Sequence, residues 1–86
     1  MQEDYDVFCM GRQFAEEAVA RTIPYRGLGM RKTHEELARR YMRRHLEARV
    51  WRVVDAYGPD AKSVFCAGAE DHLLLAVNSV PADRYR

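Results

Sequence analysis

Long apolar runs are missing from this sequence. The longest, Leu73-Leu74-Leu75-Ala76-Val77, is far short of the roughly 20 residues that a helix needs to cross a bilayer. The opening residues Gln2-Glu3-Asp4 are acidic where a secretory leader is basic, and no apolar stretch follows them. The expectation is a cytoplasmic protein with no membrane attachment. Cysteine is scarce, and Cys9 and Cys66 both lie between apolar neighbours. They read as reduced, buried thiols rather than a disulfide. A nucleophilic thiolate needs a cationic, partly exposed setting, which neither position offers. No glycine-rich phosphate loop, nucleophile elbow, HExxH or paired-cysteine motif occurs. Cys9, Cys66, His34, His45 and His72 are the soft-metal ligands, and none stands at a zinc-site spacing. No enzyme activity, cofactor or metal is expected.

What is there fits one small domain spanning residues 1–86. The hydrophobic share is 48% and is spread along the whole chain, which argues against disorder. A domain of this size buries only about 60% of the surface its unfolded chain exposes, so its stability margin is thin. The net charge of +1 hides an uneven distribution. Residues 1–20 carry five acids against Arg12 alone. Residues 21–52 carry ten bases against Glu35, Glu36 and Glu47, and the remainder is again mildly acidic. Twelve of the fourteen bases are arginine, whose planar fork suits carboxylates and phosphates. Genomic composition is the plainer reading of that bias.

The strongest local signal predicts a helix from about His34 to Tyr57. Thr33 followed by Glu36 matches a capping box, with Glu35 and Glu36 opposing the positive end of the helix dipole. Strong helix formers fill the interior, and Gly58-Pro59 supplies the stop. At about 100° per residue, Leu37, Ala38, Tyr41, Met42, His45 and Leu46 share one side, and Arg39, Arg40, Arg43 and Arg44 share the other. Val50, Val53, Val54 and Tyr57 form a second apolar stripe, rotated from the first. That stripe reads either as core or as a homodimer seam. Trp51 lies off both stripes, on the side of Arg44 and Asp55.

Phe14, Ala15, Ala18 and Val19 recur at helical spacing, predicting an earlier helix from about Asp6 that ends near Thr22, before Pro24. Pro24 to Lys32 reads as a loop. Ser63-Val64-Phe65-Cys66-Ala67 has strand-type residues, Gly68 to Asp71 has turn composition, and His72 to Asn78 is a second apolar run, which together suggest a β-hairpin. The expected class is therefore α+β, two helices followed by a C-terminal hairpin. An all-helical small bundle is the alternative, and the tail from about Pro81 reads as loose.

The arginine cluster carries the functional expectation. Glu35–Arg39, Glu36–Arg40 and Arg43–Glu47 stand at i,i+4, each pair contributing roughly 0.2–0.5 kcal/mol to an exposed helix. Three glutamates leave Arg44 without a partner at that spacing, and Arg31 and Lys32 add further positive charge. The expected partner-binding residues are Arg39, Arg40, Arg43, Arg44, Arg31 and Lys32. The expected function is a non-enzymatic interaction protein, a small regulator or inhibitor of the kind phages and mobile elements encode, binding a larger protein or nucleoprotein. Its alternative is nonspecific nucleic-acid binding through the same face. The cluster contains no Asn, Gln or Ser to read base edges, and the pI of about 7.8 is low for a nucleic-acid-binding domain.

Overall fold

Apolar residues on a helical period decide all three main elements. A computed structural model describes residues 2–23 and 31–85. Helix α1 (Gln2–Arg21) buries Val7, Gly11, Phe14, Ala15, Ala18 and Val19 along one side, and Glu3 and Asp4 occupy its first turn, where the helix dipole favours acids. Its end is secured by Thr22, whose hydroxyl donates to the Ala18 carbonyl at 2.6 Å. Helix α2 (Arg31–Tyr57) buries His34, Ala38, Met42 and Val53. Thr33 therefore lies inside the helix and not at its cap. The loop expected before it falls on residues 24–30, outside the described residues, while Arg31 and Lys32 are helical. The predicted stop is present: Gly58 takes φ +99° and donates its N–H to the Val54 carbonyl at 2.8 Å, the left-handed ending that glycine permits.

The expected C-terminal hairpin is corrected. Residues 61–78 form a third helix, α3 (Ala61–Asn78), and no strand occurs among the described residues. The chain is an all-helical three-helix bundle, not α+β. Phe65, Ala69, His72, Leu73 and Val77 all point inward, a spacing of three and four that only a helix places on one face. Gly68, read as part of a turn, is instead a helix-interior glycine at a close crossing. A Cβ built there would overlap the Phe8 carbonyl of α1, and one built at Gly11 would overlap the Phe65 carbonyl of α3. The two backbones touch because neither residue has a side chain.

Gly11 meets Phe65 and Ala69, and Arg12 meets His72, so α1 and α3 run parallel. Between them in sequence α2 returns antiparallel, bringing His34 to Val19 and Arg49 to Phe14. The longest dimension, 43 Å, is set by α2, whose 27 residues extend about 40 Å at 1.5 Å each. Phe14 sits at the centre, stacked on Phe65 with ring centroids 5.6 Å apart. Full burial of Phe14 and Leu73 contributes about 1.5–3 kcal/mol each.

The segment after α3 folds back. Ala82–Tyr85 form a 3-10 turn, η1, and Tyr85 is buried against α2. Its hydroxyl donates to His34 Nδ1 at 2.8 Å, while His34 Nε2–H donates to the Val19 carbonyl at 2.8 Å. A carbonyl can only accept, which fixes the tautomer. Arg31 stacks over the Tyr85 ring at 5.3 Å and donates to the Val77 carbonyl at 2.8 Å. The expected loose tail is thus tied down as far as Tyr85.

Candidate partner-binding site

The six bases expected to form a binding face separate into two groups. Arg31 and Arg39 are engaged by other groups of the same chain. Arg31 serves Tyr85 and Val77 as above. Arg39 donates to Glu35 at 3.1 Å and to both Glu70 carboxylate oxygens at 3.3 and 3.2 Å, tying α2 to α3. These two carboxylates hold its guanidinium pKa above the ordinary arginine value. Lys32, Arg40, Arg43 and Arg44 are exposed and make no ion pair with an acid among the described residues. Of the three expected i,i+4 pairs, only Glu35–Arg39 forms.

Helical phase sorts the free bases further. Arg40, Arg44 and Trp51 stand at i, i+4 and i+11, within about 40° of one another around the axis. This row faces away from the buried row of His34, Ala38 and Met42. Trp51 is 72% exposed. Arg40 and Arg44 border a shallow recess of about 220 Å³ with Thr22, Leu37 and Tyr41. Arg43 turns instead toward α3, beside Leu46 and Cys66. The second stripe divides as well. Val53 is in the core and Val50 packs against it, while Val54 lines a groove with Trp51 and Tyr57 is 39% exposed.

Where α2 faces α1, Tyr41 donates to Glu17 at 2.7 Å, and Arg49 donates to the same carboxylate oxygen while its guanidinium lies 5.2 Å over the Phe14 ring. The Tyr41 hydrogen bond, together with Arg49, holds the Glu17 carboxyl below the usual carboxylate range and outweighs the opposing effect of burial. The same bond raises the Tyr41 hydroxyl. A depressed native pKa means stability that is present above the unfolded-state pKa and lost as pH falls through the native one. Glu17→Gln is therefore expected to lower the unfolding free energy by about 1 kcal/mol at neutral pH. Urea titrations should show that difference vanishing once both proteins are held well below the carboxylate range.

The remaining polar cluster joins α1 to α3. Arg12 donates to His72 Nδ1 at 3.4 Å, and His72 Nε2–H donates to Glu16 at 2.8 Å. Both ring nitrogens are engaged, so His72 presents no free base. It borders a largely apolar recess of about 420 Å³ with Val19, Ile23 and Leu75. The hydrogen-bond partners of His34 and His72 include no serine, threonine or cysteine, and Cys9 and Cys66 are free and partly buried. No three His, Cys, Asp or Glu side chains gather for a metal among the described residues. No described helix is long and apolar enough to cross a membrane.

The chain matches no protein-family model, no curated protein and no solved structure.

Geometry alone therefore identifies the candidate surface, and one of its features was not read from the sequence. Arg39 is withdrawn by Glu70, 31 positions away, a pairing that no local spacing signals. Trp51, which helical phase puts on the side of Arg44, is exposed in line with Arg40 and Arg44 and belongs to the surface.

Proposed function

We propose that this chain is a non-enzymatic interaction protein that docks on a larger protein or nucleoprotein through the outward face of α2. Arg40 and Arg44 make the charge contacts and Trp51 is the apolar anchor. The observation that carries the reading is the exposure of all three in one row. Tryptophan and arginine dominate the energetics of protein interfaces, the one through area and the other through planar, multidentate hydrogen bonding. A rigid helix also presents them at low entropic cost. The role that suits such a module is a small regulator or inhibitor covering a partner's site, and two reduced thiols suit the cytoplasm.

The test is capture of partners from the native host with charge-reversed variants. Arg40→Glu combined with Arg44→Glu should reduce recovery of the partner at least tenfold. Asp4→Lys combined with Asp6→Lys, at exposed positions of α1, should leave it within about twofold. Glu16 and Glu17 are unsuitable controls because His72, Tyr41 and Arg49 use them. Equal losses from both pairs, or loss from the α1 pair alone, would refute the assignment. Nucleic acid is the second reading, favoured by an exposed indole in line with arginines, which can stack a base. Retention of oligonucleotide at low salt by the wild type, with none by the Arg40/Arg44 variant, would select it.

A further inference from the structure

Two recesses meet along the seam between α2 and α3, on a side to which α1 contributes no lining residue. One, of about 220 Å³, has Met42, Leu46, Cys66 and Ala69 among its walls. The other, of about 390 Å³, has Leu46, Val50, Trp51 and Val54. They share Arg43 and Leu46, so they form one groove running from Arg39 to Val54. Fifteen residues of rise make it about 22 Å long. That is the length of a helix of about four turns. The groove is closed at one end by the Arg39–Glu70 ion pair. Its rim carries Arg43, where the two recesses join, and Lys62, toward the Val54 end, both exposed and both basic, with Glu47 the acid on that rim.

We infer that this groove receives an acidic amphipathic helix from the partner protein, completing a four-helix arrangement. The inference rests on the docking role proposed above and names what docks. A seam between two helices offers ridges and grooves to a third helix, whereas docking by strand addition needs a sheet edge, which the described residues lack. Apolar residues at i, i+3, i+4 and i+7 of the occupant lie on Leu46, Val50 and Val54, with Trp51 closing over them. Flanking carboxylates reach Arg43 and Lys62, and Arg40 and Arg44 extend the same sign of charge along the neighbouring row. A phosphate chain fits less well, because the floor of the groove is aliphatic.

Trp51 is the only tryptophan in the chain, so its emission reports occupancy directly. The intact protein is titrated with three probes: a 15-residue helical peptide free of aromatics, with leucines at that spacing and glutamates on its flanks; the same peptide with lysines for the glutamates; and a thymidine oligonucleotide. The glutamate peptide should shift Trp51 emission to the blue and shield it from acrylamide, with an affinity at least tenfold above that of the lysine peptide. Arg43→Glu with Lys62→Glu should abolish or invert that preference while leaving the helical circular dichroism unchanged. Equal response to both peptides, response to the oligonucleotide alone, no response, or a Trp51 shift that tracks protein concentration without peptide would each overturn the inference. Applied to host-partner capture, the same pair separates the two levels. Loss with Arg40→Glu and Arg44→Glu but not with Arg43→Glu and Lys62→Glu leaves the outward row standing and removes the groove. Loss with neither removes both.

Discussion

Replacing Gly68 by alanine is expected to lower the unfolding free energy by about 3 kcal/mol, although alanine is favoured over glycine in a helix interior by about 1 kcal/mol. The opposing effect is steric and falls on backbone. The added Cβ would overlap the Phe8 carbonyl oxygen and crowd its carbon, and a carbonyl held in α1's hydrogen-bond ladder cannot swing aside as a side chain can. The helices must separate. Separation thins the Phe14–Phe65 stack at the centre of the core and lengthens the Arg12–His72–Glu16 bridge. Against a total stability of roughly 4–13 kcal/mol for a chain of this length, such a loss leaves little margin.

Gly11→Ala should behave alike, because its Cβ would overlap the Phe65 carbonyl and approach the Ala69 amide. The double variant should lose less than the sum of the two, since helices already parted by one methyl have room for the second. Gly58→Ala separates sterics from backbone conformation. Nothing lies within 4 Å of a Cβ at Gly58, yet φ is +99°, so its loss should be only about 1 kcal/mol. Urea midpoints followed by far-ultraviolet circular dichroism give the order. Gly68→Ala matching or exceeding wild-type stability would mean that α1 and α3 do not cross at these glycines.

The same pair of glycines explains how much of the fold was legible. Helix α2 announced itself because strong helix formers run unbroken to Gly58-Pro59, a stop that acts locally. Helix α1 was visible through Phe14, Ala15, Ala18 and Val19, with only its start misplaced. Helix α3 was not, because what makes Gly68 helical lies 60 positions away at Phe8. By composition, Ser63 to Ala67 suits a strand and Gly68 to Asp71 a turn, so the decision passed to tertiary packing, which overrides propensity. At the candidate surface, Arg40 and Arg44 were readable from phase alone, while Arg43, grouped with them by that phase, turns toward α3. Arg31 and Arg39 were not, since Tyr85, Val77 and Glu70 claim them from distant sequence.

His34 stands in the first turn of α2, where solvent exposure is the ordinary expectation, yet it is fully buried, and its loss should be as damaging as a methyl at the helix crossing. A sequence signal existed: His34, Ala38 and Met42 stand at i, i+4 and i+8, one row that is buried throughout. The imidazole joins three elements. The last four carbonyls of a helix lack partners within it, and His34 Nε2–H satisfies one of them, Val19 of α1, while Nδ1 accepts from Tyr85 of η1. His34→Leu fills most of the space but removes both bonds. It leaves the Tyr85 hydroxyl buried without its acceptor, and the Val19 carbonyl with a 3.4 Å bond from Thr22 N–H. Leaving each buried group unsatisfied costs about 1–3 kcal/mol, so the expected loss is about 3 kcal/mol. Tyr85→Phe removes the hydroxyl and leaves Nδ1 bare, for a loss of about 1–2 kcal/mol. The decisive number is their coupling. In the double variant the phenyl ring no longer needs an acceptor and the leucine no longer needs a donor, so the combined loss should fall about 1 kcal/mol short of the sum. Additive losses would mean that the imidazole and the phenol do not meet, and that α2 holds the end of the chain through Arg31 alone.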